Sequence, residues 1–336
     1  MHTSSDLTLA RLPSGVPIRT TVHVYGDGEV VAGEDAGGPK LVTGDGPVVY
    51  AQAAQHGREV NGAAVLRRLH AALVEGDHEL NGTLVAVPVA DPLTFDHVSY
   101  TTPESLDSVN ANMNRCWPGD PDGTLHERMA DRLWSLASAA DAVVDLHTGS
   151  PSMLTHTVFM RGDADCRALA EAFGTDLLLA EAAGDDADTE WAERDFGGKF
   201  RVAATREGIP TITPELAHSR EIVEDAVETG VAGMLGVLRS EDVLPGSPDD
   251  WDGTLARNHL GRVTADDSGL FRSDPDLAIG DDVREGETLG ELYDPTSYET
   301  LQTATADRDG VVYSIAHEST VTAGATLVGV AERISE

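Results

Sequence analysis

Short apolar runs alternate with segments whose apolar residues recur every three or four positions, and this alternation dominates the first 240 residues. Val48 to Ala51 is a continuous apolar run, and Ala63-Ala-Val-Leu-Arg-Arg-Leu-His-Ala-Ala-Leu follows with helical spacing, so a buried strand leads into a helix. Before it, Val16-Pro-Ile-Arg-Thr-Thr-Val-His-Val-Tyr25 alternates as a strand does and ends at a Gly26-Asp-Gly28 turn. Thr83-Leu-Val-Ala-Val-Pro-Val-Ala, Asp141 to Leu146, Thr155 to Met160 and Gly208 to Glu215 predict further strands. Between them lie helices over roughly Thr124 to Ala139, around Leu169 to Leu177, and over Ser219 to Leu238. Strands alternating with helices predict an α/β fold, with a mixed central sheet and helices on both faces.

The texture then changes. Residues 241–258 are rich in Pro, Gly, Ser and Asp and read as a linker. Residues 259–336 show short strands separated by glycine turns at Gly280, Gly286, Gly310 and Gly324, which predicts a small all-β domain. The expected division is therefore a domain of residues 1–240, the linker, and a β domain of 259–336.

Charge narrows the partners. Asp plus Glu number 58 against 23 Lys plus Arg, a formal balance of −35, and Lys40 and Lys199 are the only lysines. The acidic residues are spread along periodic apolar segments, which argues against disorder. A dispersed acidic, lysine-poor surface fits a high-salt milieu, where self-repulsion is screened. It disfavours nucleic acid and anionic membranes as partners. Cys116 and Cys166 are the only cysteines, without a CxxC spacing, as expected in a reducing compartment. Met-His-Thr-Ser-Ser-Asp lacks the features of a signal peptide, and no apolar run reaches membrane-spanning length, so a cytoplasmic location is expected. A homo-oligomer is compatible with all of this.

The candidate chemistry sits where strands end. His56 and Glu59 lie between the Val48 strand and the next helix, the position where open α/β sheets carry ligand sites. Asp145-Leu-His147-Thr delivers another imidazole at the end of a buried strand. Two ligands close in sequence and one remote, with a position left for water, is the usual pattern of a catalytic zinc site, one Zn2+ per chain. Asn114-Arg115 closes a polar loop of about twenty residues, a length that often carries function. A guanidinium beside an amide suits a substrate carboxylate, and a salt-bridged surface turn is the plainer alternative. Glu215 ends its strand either as a general base toward an activated water or as an acid in the first turn of the following helix. His126 is expected to be solvated, His156 to serve packing, and residues 183–200 to form an exposed acidic loop.

His56-Gly-Arg-Glu59-Val-Asn-Gly62, Asn114-Arg115-Cys-Trp-Pro-Gly119, Asp145-Leu-His147-Thr and Thr213-Pro-Glu215-Leu occur in the order found in the succinylglutamate desuccinylase/aspartoacylase family. That family belongs to the wider zinc carboxypeptidase-like group, and the resemblance covers roughly residues 45–240. It implies that His56, Glu59 and His147 bind zinc, that Glu215 is general base and then proton donor to the leaving amine, and that Asn114 and Arg115 hold a carboxylate of a small-molecule substrate. It further implies hydrolysis of the amide of an N-acyl amino acid. The C-terminal segment resembles a biotinyl/lipoyl barrel-sandwich, but no lysine follows Lys199, so a structural role is expected there.

Two departures bear on the substrate. Asn112 and Met113 precede Asn114 where the family usually reads Asp-Leu, and no arginine lies between Asp91 and Asn114, where family members commonly place one against the oxyanion. Arg58 as its substitute, zinc acting alone, and a different substrate are the three readings this leaves. The alternatives to a deacylase are a metallocarboxypeptidase acting on peptides and a non-catalytic homologue that binds zinc or ligand.

Overall fold

The structure is a computed structural model and describes all residues except 32–37, 77, 104–108, 110, 150–151, 182–190, 192–194, 258–261, 317–319 and 335–336. Among the described residues, a mixed sheet of 14 strands organises the chain. At its centre β6 (Thr83–Val87), β5 (Val48–Ala53), β7 (Ala142–Gly149) and β11 (Thr211–His218) run parallel in that spatial order. β1 (His2–Arg11) and β2 (Pro17–Gly26) extend one side antiparallel, and a small ribbon of β3 (Gly28–Val31) and β4 (Lys40–Thr43) follows β2. On the other side β9 (His156–Met160) pairs antiparallel with β11, and β10 (Leu177–Glu181) parallel with β9.

Every residue of β5, β6 and β7 is buried, because helices cover both faces of the sheet. On one face α1 (Asn61–Glu75), α4 (Ala164–Phe173) and α6 (Glu224–Ser240) bring Val65, Leu69, Phe173, Val227 and Met234 onto Val49, Ala51, Val144 and Leu146. On the other, α3 (Leu125–Ala137) and α5 (Phe200–Arg206) bring Met129, Leu133 and Phe200 onto Tyr50, Val85 and Val143. The short α2 (Pro92–Asp96) starts where the Asp91 carboxylate accepts from the Leu93 and Thr94 amides at 3.0 and 3.2 Å. The expected α/β architecture with helices on both faces is present.

Several elements differ from the sequence-based expectation. β1 was not anticipated, since only Leu7 and Leu9 of that edge strand are buried. Leu177 opens β10 rather than continuing α4, because Gly174 ends the helix in a left-handed turn with φ 77°. The helix after β11 begins at Glu224, not Ser219. Much of the expected loop 183–200 lies outside the described residues, although Trp191 is buried.

β12 (Thr254–Arg257), within the stretch read as a linker, pairs with β10. It also pairs with β20 (Thr326–Arg333), which continues the large sheet through β18 (Gly310–Ile315) to β15 (Asp282–Val283). β8 (Ser152–Met153) pairs with β18, and β13 (Arg262–Thr264) with β20. Among the described residues, a four-stranded antiparallel sheet of β17 (Thr300–Thr305), β16 (Thr288–Tyr293), β14 (Gly269–Ser273) and β19 (Thr320–Val321) brings Leu289 and Leu292 into one core with Leu327 and Val328 of β20. Among the described residues no helix is long and apolar enough to cross a membrane.

Candidate metal centre and substrate cavity

β5 and β7 lie side by side, with Ala53 opposite Leu146, so the residues that follow them emerge on the same rim of the sheet. At the exit of β5, Ala54 takes a left-handed φ of 52°, a strained conformation for a residue with a Cβ, and the chain swings His56 inward. Gly57 is needed next: a Cβ there would run into the Thr94 carbonyl and the Phe95 amide at the start of α2.

His56, Glu59 and His147 are buried together, and one ligand atom of each lies within 4.8 Å of the others. The Glu59 carboxylate is shared: Oε1 is 2.9 Å from His56 Nδ1, and Oε2 is 3.0 Å from His147 Nδ1. The far nitrogens are also held. His147 Nε2 lies 2.9 Å from Asp145 Oδ2, and His56 Nε2 lies 3.2 Å from Asn112 Oδ1. Acceptors beside both Nε2 atoms orient the rings so that each Nδ1 is turned toward Glu59, and the Asp145 and Glu59 carboxylates outweigh burial to push the His147 imidazole well above the usual histidine range. Burial works against a charged Glu59, yet the flanking His56 and His147 outweigh it and hold its carboxyl at about 2.

Asp145 is braced in turn. Gln55 Nε2 donates to both of its oxygens at 2.8 Å, and Gln52 Nε2 donates at 3.1 Å. The Trp117 indole donates to Gln55 Oε1 at 2.7 Å, and the Tyr50 hydroxyl to Gln52 Oε1 at 2.9 Å, so neither amide is free to turn over.

A cavity of about 540 Å3 opens beside the triad, lined by Glu215, Asn114, Arg115, Arg58, Tyr100, Lys199, Arg201 and Arg262 among others. Glu215 stands directly opposite His147 across β11 and β7, and opposite His156 across β11 and β9. It lies well before α6 begins, so it is not an acid of that helix's first turn. Asn114 Oδ1 accepts from the Phe200 amide at 3.0 Å, so Asn114 ties the Arg115 turn to α5, and Asn112 Oδ1, 3.2 Å from His56 Nε2, accepts from the Asn114 backbone amide at 2.9 Å. Arg115 donates from Nη1 to the Asn114 carbonyl at 2.7 Å, with its guanidinium toward the Phe196 ring and about a third of the side chain exposed.

The structure therefore gathers all six sequence-predicted site residues at one cavity, and it adds others. Arg58 stacks over Tyr100, whose ring lies 4.0 Å from that of His56. Lys199 sits 3.4 Å over the Phe196 ring. Its half-buried ammonium, desolvated and close to Arg201 and Arg115, is pushed down to about 6. Arg201 forms a buried, two-pronged ion pair with Glu181. Arg262 reaches the cavity from β13, so the C-terminal strands help to line it. Lys199 carried one faint signal, as one of two lysines in the chain, set between Phe196 and Phe200. His126, expected to be solvated, is instead buried between Thr102 Oγ1 at 3.1 Å and Asp91 Oδ2 at 3.2 Å, which braces the start of α2.

A buried pair of imidazoles and a carboxylate at parallel strand ends, with a further carboxylate beside them, is the architecture of a metal-assisted hydrolase. The family model for the succinylglutamate desuccinylase/aspartoacylase catalytic domain matches residues 45–240, and the chain belongs to this family of amide-hydrolysing deacylases. The N-alpha-acetyl-L-2,4-diaminobutyric acid deacetylase of Halomonas elongata is 30% identical over 306 residues, which span 86% of this chain and 83% of that protein. Among solved structures, the succinylglutamate desuccinylase/aspartoacylase of Rhodobacter sphaeroides superposes with a TM-score of 0.79 at 24% identity, covering 100% of this chain and 95% of the other. The product-bound ectoine utilization protein EutE (DoeB) of Ruegeria pomeroyi superposes with a TM-score of 0.77 at 22% identity, covering 98% and 94%.

Proposed function

We propose that the protein is a zinc-dependent deacylase that hydrolyses the amide of a small N-acyl amino acid. The observation that carries this is the convergence of His56 Nδ1 and His147 Nδ1 on the two oxygens of Glu59, at 2.9 and 3.0 Å, in a cavity that also holds Glu215 and several cationic side chains. The donor set fits zinc: two imidazole nitrogens and a carboxylate, with acceptors beside both remote nitrogens. Zinc held there would polarise the amide carbonyl and acidify a water.

The remaining work falls to the chain. Arg115 takes the substrate carboxylate as a planar fork of donors and sets the amide against Glu215. Glu215 accepts the proton of the attacking water and returns it to the leaving nitrogen, which departs as an amine. Arg58, held over Tyr100 at the cavity wall, stands in for the missing loop arginine toward the developing oxyanion. The name of the Halomonas elongata relative makes an N-acetylated diamino acid the first substrate to try.

The test compares wild type with Glu215→Gln and His147→Ala for metal content and for acetate release from N-alpha-acetyl-2,4-diaminobutyrate and other N-acyl amino acids. A catalyst loses turnover by about 10²-fold or more in Glu215→Gln, within the range for a general base, while keeping its zinc. His147→Ala loses the zinc. Retained turnover in Glu215→Gln removes the base assignment, and a wild type that holds zinc, binds these amides and turns none over is a binding protein instead.

A further inference from the structure

We propose that His2, His23 and His70 form a second metal site, separate from the His56 triad, that takes a borderline transition dication such as Zn2+ through three imidazole nitrogens. The register of β1 on β2 sets His2 opposite Tyr25 and Ser4 opposite His23. Residues 23 and 25 alternate onto the same face of β2, so His2, His23 and Tyr25 share one side of the sheet edge. Helix α1 covers that side and lowers His70 onto it. His2 Nε2 and His23 Nδ1 are 3.1 Å apart, and the His2 and His70 rings meet edge to face at 4.7 Å. One nitrogen from each imidazole lies within 4.8 Å of the others, and all three residues are partly accessible to solvent.

The plain alternative is a stacked aromatic cluster. Two features favour an ion. The first is convergence: three imidazoles from β1, β2 and α1 bring one nitrogen each within 4.8 Å of the others at a partly open position. The second is orientation. The Tyr25 hydroxyl lies 2.9 Å from His70 Nδ1 and orients that ring, as outer partners of metal-bound histidines do. Three imidazoles with no carboxylate suit Zn2+, Ni2+ or Cu2+ far better than Mg2+ or Ca2+. The formal charge of −35 favours a dication at the surface.

The two sites cannot share an ion. In the sheet order, β2 is three strands from β7, roughly 14 Å at the usual strand spacing. His70 lies nine residues beyond the start of α1, roughly 14 Å along the helix. An ion at the new site would clamp the edge strands β1 and β2 to α1.

The experiment uses untagged protein with the His56 site already loaded, dialysed against buffered excess Zn2+. Wild type is expected to hold about two equivalents, and His23→Gln and His70→Gln about one each, with turnover unchanged. His147→Ala is also expected to hold about one, now at the histidine cluster, which separates failure of this site from failure of the catalytic one. A wild type that stops at one equivalent, or glutamine variants that keep the second, overturns the proposal. Should the variants fail to fold, Cu2+ added to zinc-loaded wild type decides it: electron paramagnetic resonance showing three nitrogen ligands supports the site, and fewer nitrogens or no bound copper refutes it.

Discussion

Replacing Asp145 with Asn tests whether the buried hydrogen-bond frame behind His147 sets metal affinity. Asp145 faces three side chains that all present N–H groups: His147 Nε2 at 2.9 Å, Gln55 Nε2 at 2.8 Å to each oxygen, and Gln52 Nε2 at 3.1 Å. A carboxylate accepts all of them, whereas an amide brings one acceptor oxygen and one NH2. Turning a glutamine would relieve the conflict, but Gln55 Oε1 is held by the Trp117 indole and Gln52 Oε1 by the Tyr50 hydroxyl. Asp145→Asn therefore sets donor against donor whichever way its amide lies. Losing a charge-assisted bond to a buried partner costs about 1.5–3 kcal/mol. Outer partners of metal-bound histidines alter metal affinity by about 10- to 100-fold, or about 1.4–2.7 kcal/mol, so the two routes agree. The assay is zinc competition against a chromogenic chelator, with circular dichroism to show that the fold persists. Zinc affinity within about threefold of wild type would refute the frame's role in orienting His147.

Lys199 gives a pH signature. Its native pKa of about 6 lies below the ordinary lysine value of about 10.4, so between these limits the unfolded chain holds one more proton and stability rises with pH. The destabilisation is full below pH 6 and fades toward 10.4, so chemical denaturation at pH 6.5 and 8.5 should show wild type gaining on Lys199→Met; a gap independent of pH rejects the depressed value. Gly57→Ala forces the His56 loop away from the Thr94 carbonyl and should cost about 1–3 kcal/mol, read as a lower Tm with weaker zinc retention; unchanged values reject the close approach. Arg115→Lys keeps the charge but loses the fork, so KM for N-acyl amino acids should rise about tenfold or more with metal content intact, whereas an unchanged KM moves the carboxylate to another cation.

The triad was legible because its residues follow short, mostly apolar runs. β5 and β7 are buried on both faces, their sequences say so without alternation, and parallel neighbours must put their next residues on one rim. Glu215 was ambiguous because strand-end and helix-start acids look alike in sequence; the residues between it and α6 resolve the matter only in the folded chain. The rest of the cavity was not legible, since it depends on contacts distant in sequence. Arg262 arrives from beyond β12, and Arg201, on α5, gains its setting from Glu181 at the end of β10. His126 misled because its partner Asp91 lies 35 residues away, so a polar position on a helix was in fact an inward one. β1 was missed for the opposite reason: an edge strand needs few buried residues, and Ser4, Ser5 and Asp6 show no apolar face.

The charge of the whole chain and the charge of the cavity have opposite signs, and this limits how a substrate is held. The protein carries −35, yet Arg58, Arg115, Lys199, Arg201 and Arg262 line one cavity against Glu59 and Glu215. The acidic exterior would repel an anionic N-acyl amino acid at low ionic strength. In about 1 M salt the screening length falls to about 3 Å, so that repulsion vanishes and so does attraction from any cation not in contact. Arg201 is already committed to Glu181, and Lys199 sheds its proton near pH 6. On the proposed reading Arg115, partly exposed on a turn that Asn114 ties to α5 and 3.6 Å from the exposed Asp195 carboxylate, would retain a substrate carboxylate in concentrated salt, because a two-pronged contact acts at hydrogen-bond range, where salt screens least.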